Sequence, residues 1–423
     1  MTKSIVILLF TVLNISPVFM QENKELQEKF LEAEYFRLNG DYEEALNLYL
    51  QVYDKLPENA NIAHSIGVCY LNIQGRKNLA ITYLEKAVSN MSAKRREGTI
   101  NQVQASYDAL YDLAKAYRIN YKFDKAIETY RRYAGTLLPD DKENQDYINH
   151  EISVCEKAGE KIAHPVKFTE ENMGALFNSE SSDFDPVVSS DGKSIAWMVS
   201  MKFYDAVMFS RKIDGKWSAP INITSDLQSD GDFYISSLSA DGKTLFLSRN
   251  DDFNSDIYIS TFDGTTWSKV AMLNKNINTG YWESQASVSD DGTHLFFSSD
   301  RPGGFGGLDI YMSEKNNGEW GSPVNLGPEI NTSFNEDRPF LVNKGKTLFF
   351  ISQDHDNIGG YDLFRSERQG NSWAKTVNIG YPVNTPDDDY FFNPVSTGDG
   401  GYYSAFRDSG GFGKEDIYRI TFQ

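Results

Sequence analysis

Cysteine is nearly missing from this chain: 423 residues hold two, Cys69 and Cys155, far apart and both in helix-like stretches. That excludes a disulfide framework and a thiolate metal site, and fits two small buried hydrophobes. Histidine is almost as scarce, and His64, His150, His164, His294 and His355 show no ligand spacing. There is no GxSxG elbow, no HExxH, no phosphate-cradling GK[ST] loop and no GxGxxG after a strand. No cofactor, no metal and no catalytic residue is expected. Long apolar runs are also lacking. The one near the N-terminus, Ile5 to Leu13 behind Lys3, is too short to span a bilayer and fits the core of a secretory signal over residues 1–20. No transmembrane span is expected after its removal. Positive charge is in deficit, 41 Lys+Arg against 60 Asp+Glu. Residues 162–423 hold most of the imbalance, with 21 against 37. An acidic surface repels nucleic acid and anionic lipid, so neither is an expected partner.

What the chain does have is repetition. From residue 162 onward, hairpin signals recur at Asp191–Gly192, Asp241–Gly242, Asp291–Gly292, Lys344–Gly345 and Asp399–Gly400, at spacings of about fifty residues, each between alternating strands. A loop follows each, Gly-rich in the last three as in SSDRPGGFGGLDIYMSE from Ser298, and an acid precedes the next strand: Asp256, Asp309, Asp362, Asp416. A second turn ends in Trp217, Trp267, Trp320 or Trp373, and a further strand follows. Four strands per unit make the blade of a β-propeller. The last unit lacks its outer strand, and the orphan segment at Val166 to Thr169 can supply it. That closes the ring at five blades; six would need a unit the sequence does not show. The acids Asp354, Asp356 and Asp387–Asp389 read as turn chemistry and not as a calcium loop.

Residues 22–161 read as helices with apolar residues three and four apart. Ala33, Gly40, Tyr42, Ala45, Tyr49 and Pro57 fall at the small, turn, aromatic and stop positions of a 34-residue helical hairpin. Two further hairpins follow, at Gly67 to Ala87 and Ala114 to Pro139, with a capping helix over Asp141 to Glu160. This pattern resembles the tetratricopeptide repeat. The resemblance implies a groove lined by Arg37, His64, Asn72, Tyr111, Lys115 and Arg118, suited to an acidic or C-terminal peptide segment.

The runs PVVSSDGKSIAW, SSDRPGGFGGLDIYMSE and WGSPVNLGPEINTSFNEDRPF look like WD-repeat-like units of a TolB-type propeller. With helical repeats ahead of it, the chain resembles exported Bacteroidetes envelope proteins of the OmpA-related group. Fold class is therefore α then all-β, with a signal over 1–20, a tetratricopeptide-like solenoid over 22–161 and a propeller over 162–423. The resemblance implies a periplasmic or outer-membrane-associated scaffold that binds envelope proteins, accessory to outer-membrane or secretion machinery. Larger members continue into a peptidoglycan-binding domain; this sequence stops at Gln423, and direct peptidoglycan binding is not expected. The alternative is a glycan-binding or glycan-hydrolysing propeller using aromatics such as Tyr281, Trp282 and Tyr390.

Overall fold

The computed structural model describes residues 17–94, 98–250, 254–407 and 409–423, with side chains from residue 23 onward. The expected signal core at Ile5 to Leu13 lies outside the described residues. Two compact units divide the chain, Met1–Ala116 and Tyr117–Gln423.

Among the described residues, seven α-helices come first. In the first unit α1 (Pro17–Leu38) packs on α2 (Tyr42–Lys55), α3 (Ala60–Leu71) packs on α4 (Ala80–Ala87), and α2 also meets α3. Gly40, at φ +83°, turns the chain out of α1. Asn59 caps α3, its side-chain oxygen accepting the Ile62 N–H at 3.1 Å. Gly67 lets α4 approach so closely that a Cβ there would collide with the Leu84 side chain. α5 (Asp108–Ile119) has residues on both sides of the division. α6 (Phe123–Ala134) packs on α7 (Lys142–Ile162), which Asp141 starts by accepting the Asn144 N–H. No described helix is long and apolar enough to cross a membrane.

Five antiparallel sheets follow, and they are the five blades. Blades 1 to 4 cover residues 183–222, 234–272, 283–325 and 336–378; blade 5 covers 392–422 and takes Phe168–Asn172 as its outer strand. That strand pairs from Phe168↔Phe422 to Asn172↔Tyr418, so the orphan segment closes the ring as expected. The hairpin turns fall where the Gly-containing dipeptides predict, with one shift. In blade 5 the positive φ belongs to Gly398, whose N–H donates to Val395 O, while Gly400 is already in the strand.

Apolar side chains on facing blades pack into shared cores. Phe296 and Ile310 of blade 3 meet Leu348, Phe350 and Phe364 of blade 4, for example. With both faces covered, the blade-4 strand Thr347–Ser352 is buried at every position.

Polar side chains register each blade on the next segment of chain. Asn331 accepts the Ile310 N–H at 2.8 Å and donates to the Ile310 carbonyl at 3.0 Å, taking up both backbone groups of a buried strand residue. Asn278 does this for Ile257, Asn384 for Leu363, and Asn178 for Ile417 across the closure. Glycine serves the same junction. A Cβ at Gly306 would run into the Phe334 carbonyl, at Gly359 into those of Thr385 and Asp387, and at Gly413 into those of Ser179 and Ser181. Gly413→Ala is expected to lower stability by about 1–3 kcal/mol through this overlap with rigid backbone, measured by denaturant unfolding of the full chain. Gly318→Ala, in an outer hairpin with open space around it, serves as the contrast: its cost comes from φ alone.

Candidate functional site

Strand register brings the start of each inner strand and each Gly-rich loop to the same end of the propeller. Glu283 lies opposite Ser299, and Ser299 opposite Asp309. The recurrent acid organises its loop. Asp309 accepts the Phe305 N–H at 2.6 Å, the Gly306 N–H at 3.2 Å and the Asn325 amide at 2.7 Å. Asp362 and Asp416 repeat the arrangement with Ile358, Gly359 and Asn378, and with Phe412, Gly413 and Asn172. A second set opens the inner strands. Asp183, Glu283, Glu336 and Asp389 each accept a backbone N–H from four residues earlier at 2.6–2.7 Å. Burial nevertheless pushes the carboxyls of Glu336 and Asp362 up, each to about 7, against the pull of these hydrogen bonds.

At the same end the central channel opens into a cavity of about 290 Å³. Aromatic side chains form much of its wall: Phe184, Tyr234, Trp282 and Phe391. Three of its polar groups come from bulges in the inner strands, where Asp185, Gln285 and Arg338 all have φ +52°, while Ser248 and Asn250 come from the second strand of blade 2. Arg338 donates to both oxygens of Asp185 at 2.7 and 3.2 Å, and its guanidinium lies 4.9 Å from the Phe391 ring centre. Burial works against the charge on Arg338, but Asp185 and Asp337 outweigh it and hold its pKa above the ordinary arginine value. Burial pushes the Asp337 carboxyl up, against the opposing pull of Arg338. Ser284 Oγ and Gln285 Oε1 are enclosed and have no protein partner.

The loops around this mouth present apolar side chains outward. Phe305 and Phe412, whose N–H groups bind equivalent aspartates, are 50% and 47% exposed, and Phe203 in the blade-1 loop is 86% exposed. Ile358 holds the equivalent place in blade 4 and is fully buried. α7 lies on that loop. Lys161 donates to the carbonyls of Asp356 and Asn357 and pairs with the Asp356 carboxylate at 2.9 Å, and His150 bonds the Gln353 carbonyl at 2.7 Å. Of the acids weighed as a calcium loop, Asp356 binds Lys157 and Lys161, Asp354 faces His150, Asp388 accepts the Tyr361 N–H, and Asp389 accepts the Thr385 N–H.

The six groove residues are not brought together as a row of free groups. Arg118 is a correction: it is 2% exposed and pairs with Glu151 at 3.1 Å, to which Tyr130 also donates. His64 is buried against Asp112 at 2.6 Å, and Arg37 binds Glu34 and the Tyr49 hydroxyl. Asn72 is exposed at the end of α3 and donates to the Val68 carbonyl; Tyr111 and Lys115 are half-buried. A concavity of about 540 Å³ in the first unit lies between α1 and α2, lined by Leu26, Lys29, Leu50 and Gln51 among others. Of the aromatics named for the glycan alternative, Trp282 lines the channel mouth, while Tyr281 and Tyr390 do not.

Sequence reasoning missed Asp185, Gln285, Asp337 and Arg338. The signal was available: DFDP, ESQA and EDRP align at the inner-strand start, and their third position changes from blade to blade while the first stays acidic.

No protein-family model and no curated protein matches this chain. Solved structures that resemble it include TolB from Acinetobacter baumannii, at 15% identity over 68% of this chain and 72% of that one, TM-score 0.39. The catalytic domain of the GH62 α-L-arabinofuranosidase from Coprinopsis cinerea aligns at 12% identity over 61% and 98%, TM-score 0.40. An endo-arabinase from Bacteroides thetaiotaomicron aligns at 15% over 58% and 97%, TM-score 0.40. Likeness at this level carries nothing across to this chain, and the five-bladed fold rests on the sheets themselves.

Two outcomes follow from the buried charges. Arg118→Ala leaves Glu151 uncompensated and is expected to cost about 3–5 kcal/mol, read by denaturant unfolding. Glu336 and Asp362 keep a proton in the folded state at pH values where the unfolded chain has lost it. Their contribution to stability therefore falls as pH rises from the ordinary carboxylate range through about 7. The melting temperature is expected to be higher at mildly acidic pH than above neutrality, and Glu336→Gln is expected to flatten that profile.

Proposed function

We propose that this protein is a non-catalytic, protein-binding scaffold of the bacterial cell envelope, in which tetratricopeptide-like helices precede a TolB-type propeller. The observation that carries the reading is the loop face. Equivalent apolar side chains stand uncovered at Phe305 and Phe412, while their counterpart Ile358 lies buried in the loop that α7 grips. The chain's own helix supplies the pattern for a partner: a helical segment whose lysines bind loop carbonyls and carboxylates while its apolar side meets the exposed rings. Carboxylates are present in the uncovered loops too: Asp300, which accepts the Trp282 N–H at 2.7 Å, and Glu415, which accepts the Ser182 hydroxyl at 3.1 Å. Against hydrolysis, the loop acids Asp309, Asp362 and Asp416 and the inner-strand acids Asp183, Glu283, Glu336 and Asp389 are occupied by backbone N–H groups, and Asp185 is held by Arg338. A glycosidase needs two carboxyl groups free to exchange a proton across the bond it cleaves.

In-cell crosslinking with mass spectrometry tests this. An envelope protein is expected to crosslink to the 300–308 and 406–415 loops, and Phe305→Ser with Phe412→Ser is expected to abolish those crosslinks in a protein that still melts cooperatively. Unchanged crosslinks in the double variant, or none to any envelope protein in the unaltered chain, would overturn the reading.

A further inference from the structure

We propose that the channel mouth is a binding site for a neutral polyhydroxylated ligand, a monosaccharide or the end of a saccharide chain. The site is separate from the loop face and does not depend on the scaffold reading. The first argument is conformational. Asp185, Gln285 and Arg338 occupy left-handed backbone that costs a non-glycine residue about 1–3 kcal/mol, and glycine would hold the same bulge without strain. Three blades use three different polar side chains there, so what is retained is the side chain and not the bend. Bulges re-aim side chains, and these three line one cavity.

The second argument is unmet hydrogen bonding. Ser284 is 5% exposed and its Oγ has no protein partner; Gln285 Oε1, next to it, is likewise enclosed and unpaired. Both residues line the cavity. A buried polar atom left unpaired costs about 1–3 kcal/mol, so side-chain rotations that bring Ser284 Oγ and Gln285 Oε1 out to a ligand hydroxyl are favoured.

The third argument selects the chemistry. A sugar ring offers alternating hydroxyls that donate and accept, with C–H faces that lie on aromatic rings. The mouth has that combination: carboxylate, amide, hydroxyl and guanidinium groups set among Phe184, Tyr234, Trp282 and Phe391. An anion fits poorly, because Asp185 and Asp337 line the cavity and the guanidinium is already bonded to Asp185. A metal ion fits poorly too: among the described residues no group of three or more acids, histidines or cysteines is placed to hold one. A purely apolar ligand would leave Ser284 and Gln285 unsatisfied. The volume, about 290 Å³, is at the small end for ligand pockets and suits one or two rings.

The test is calorimetry and saturation-transfer NMR on the full chain. The probes are glucose, galactose, xylose, arabinose, N-acetylglucosamine and their disaccharides, with methylguanidinium and tetramethylammonium as cationic competitors. At least one sugar is expected to bind saturably. Asp337→Asn, Trp282→Ala and Gln285→Gly are each expected to weaken it at least about tenfold, or 1.4 kcal/mol. Gln285→Gly relieves the backbone strain, so it is expected to keep or raise the melting temperature while losing the ligand, which a merely structural role for Gln285 would not produce. Phe305→Ser with Phe412→Ser is expected to leave sugar binding unchanged. The proposal is overturned if no sugar binds, if the three mouth variants bind as the unaltered chain does, or if a cationic probe binds more tightly than any sugar.

Discussion

The last blade of this propeller is complete only where the first and last segments of the chain meet, and here the meeting is made by five residues. Phe168–Asn172 completes the blade whose other strands lie at the far end of the chain. The junction is held by more than its ladder. Asn178 takes both backbone groups of Ile417, Lys414 donates to the Ser181 carbonyl, and Asn172 donates to Asp416. Each of these has a counterpart at an ordinary blade junction, so the closure is built like the others and is not a patch over a gap. Long-range pairing of this kind carries a high loop-closure cost, which the polar stitching and the shared apolar cores must offset together.

The repeat also separates architecture from recognition. Acids at equivalent places do equivalent work: they gather the N–H groups of tight loops that no strand could satisfy. Side chains that differ from their counterparts in other blades gather instead at the channel mouth. In blade 2, Phe233 stands where blades 1, 3, 4 and 5 carry an acid, and Ile235 stands where Asp185, Gln285 and Arg338 turn inward, so the mouth is polar on some sides and apolar on others. Five-fold repetition makes the frame, and departures from it make the site.

Much of the frame was legible because turn chemistry is local. Asp–Gly dipeptides, the acid before each third strand and the Trp of each outer hairpin act within a few residues of themselves, and the sequence carries them undisguised. The helix hairpins were legible for a similar reason, as at Gly67, where packing needs a missing side chain. The mouth was not legible, because Asp185 and Arg338 are 153 positions apart and meet only when the ring closes. Arg118 misled for a related reason. Helical spacing gives its face on α5, but its burial depends on Glu151 and Tyr130 arriving from two other helices.

The contact of α7 with blade 4 has a further meaning. A ring of five similar blades presents nearly the same surface five times over, and a binder that reads only the repeat could settle in any of five rotations. By occupying one position, the helix removes that degeneracy and gives the ring a fixed zero from which the other blades are counted. A protein on the rim would then meet one orientation, marked where the two cations of α7, Lys157 and Lys161, hold Asp356.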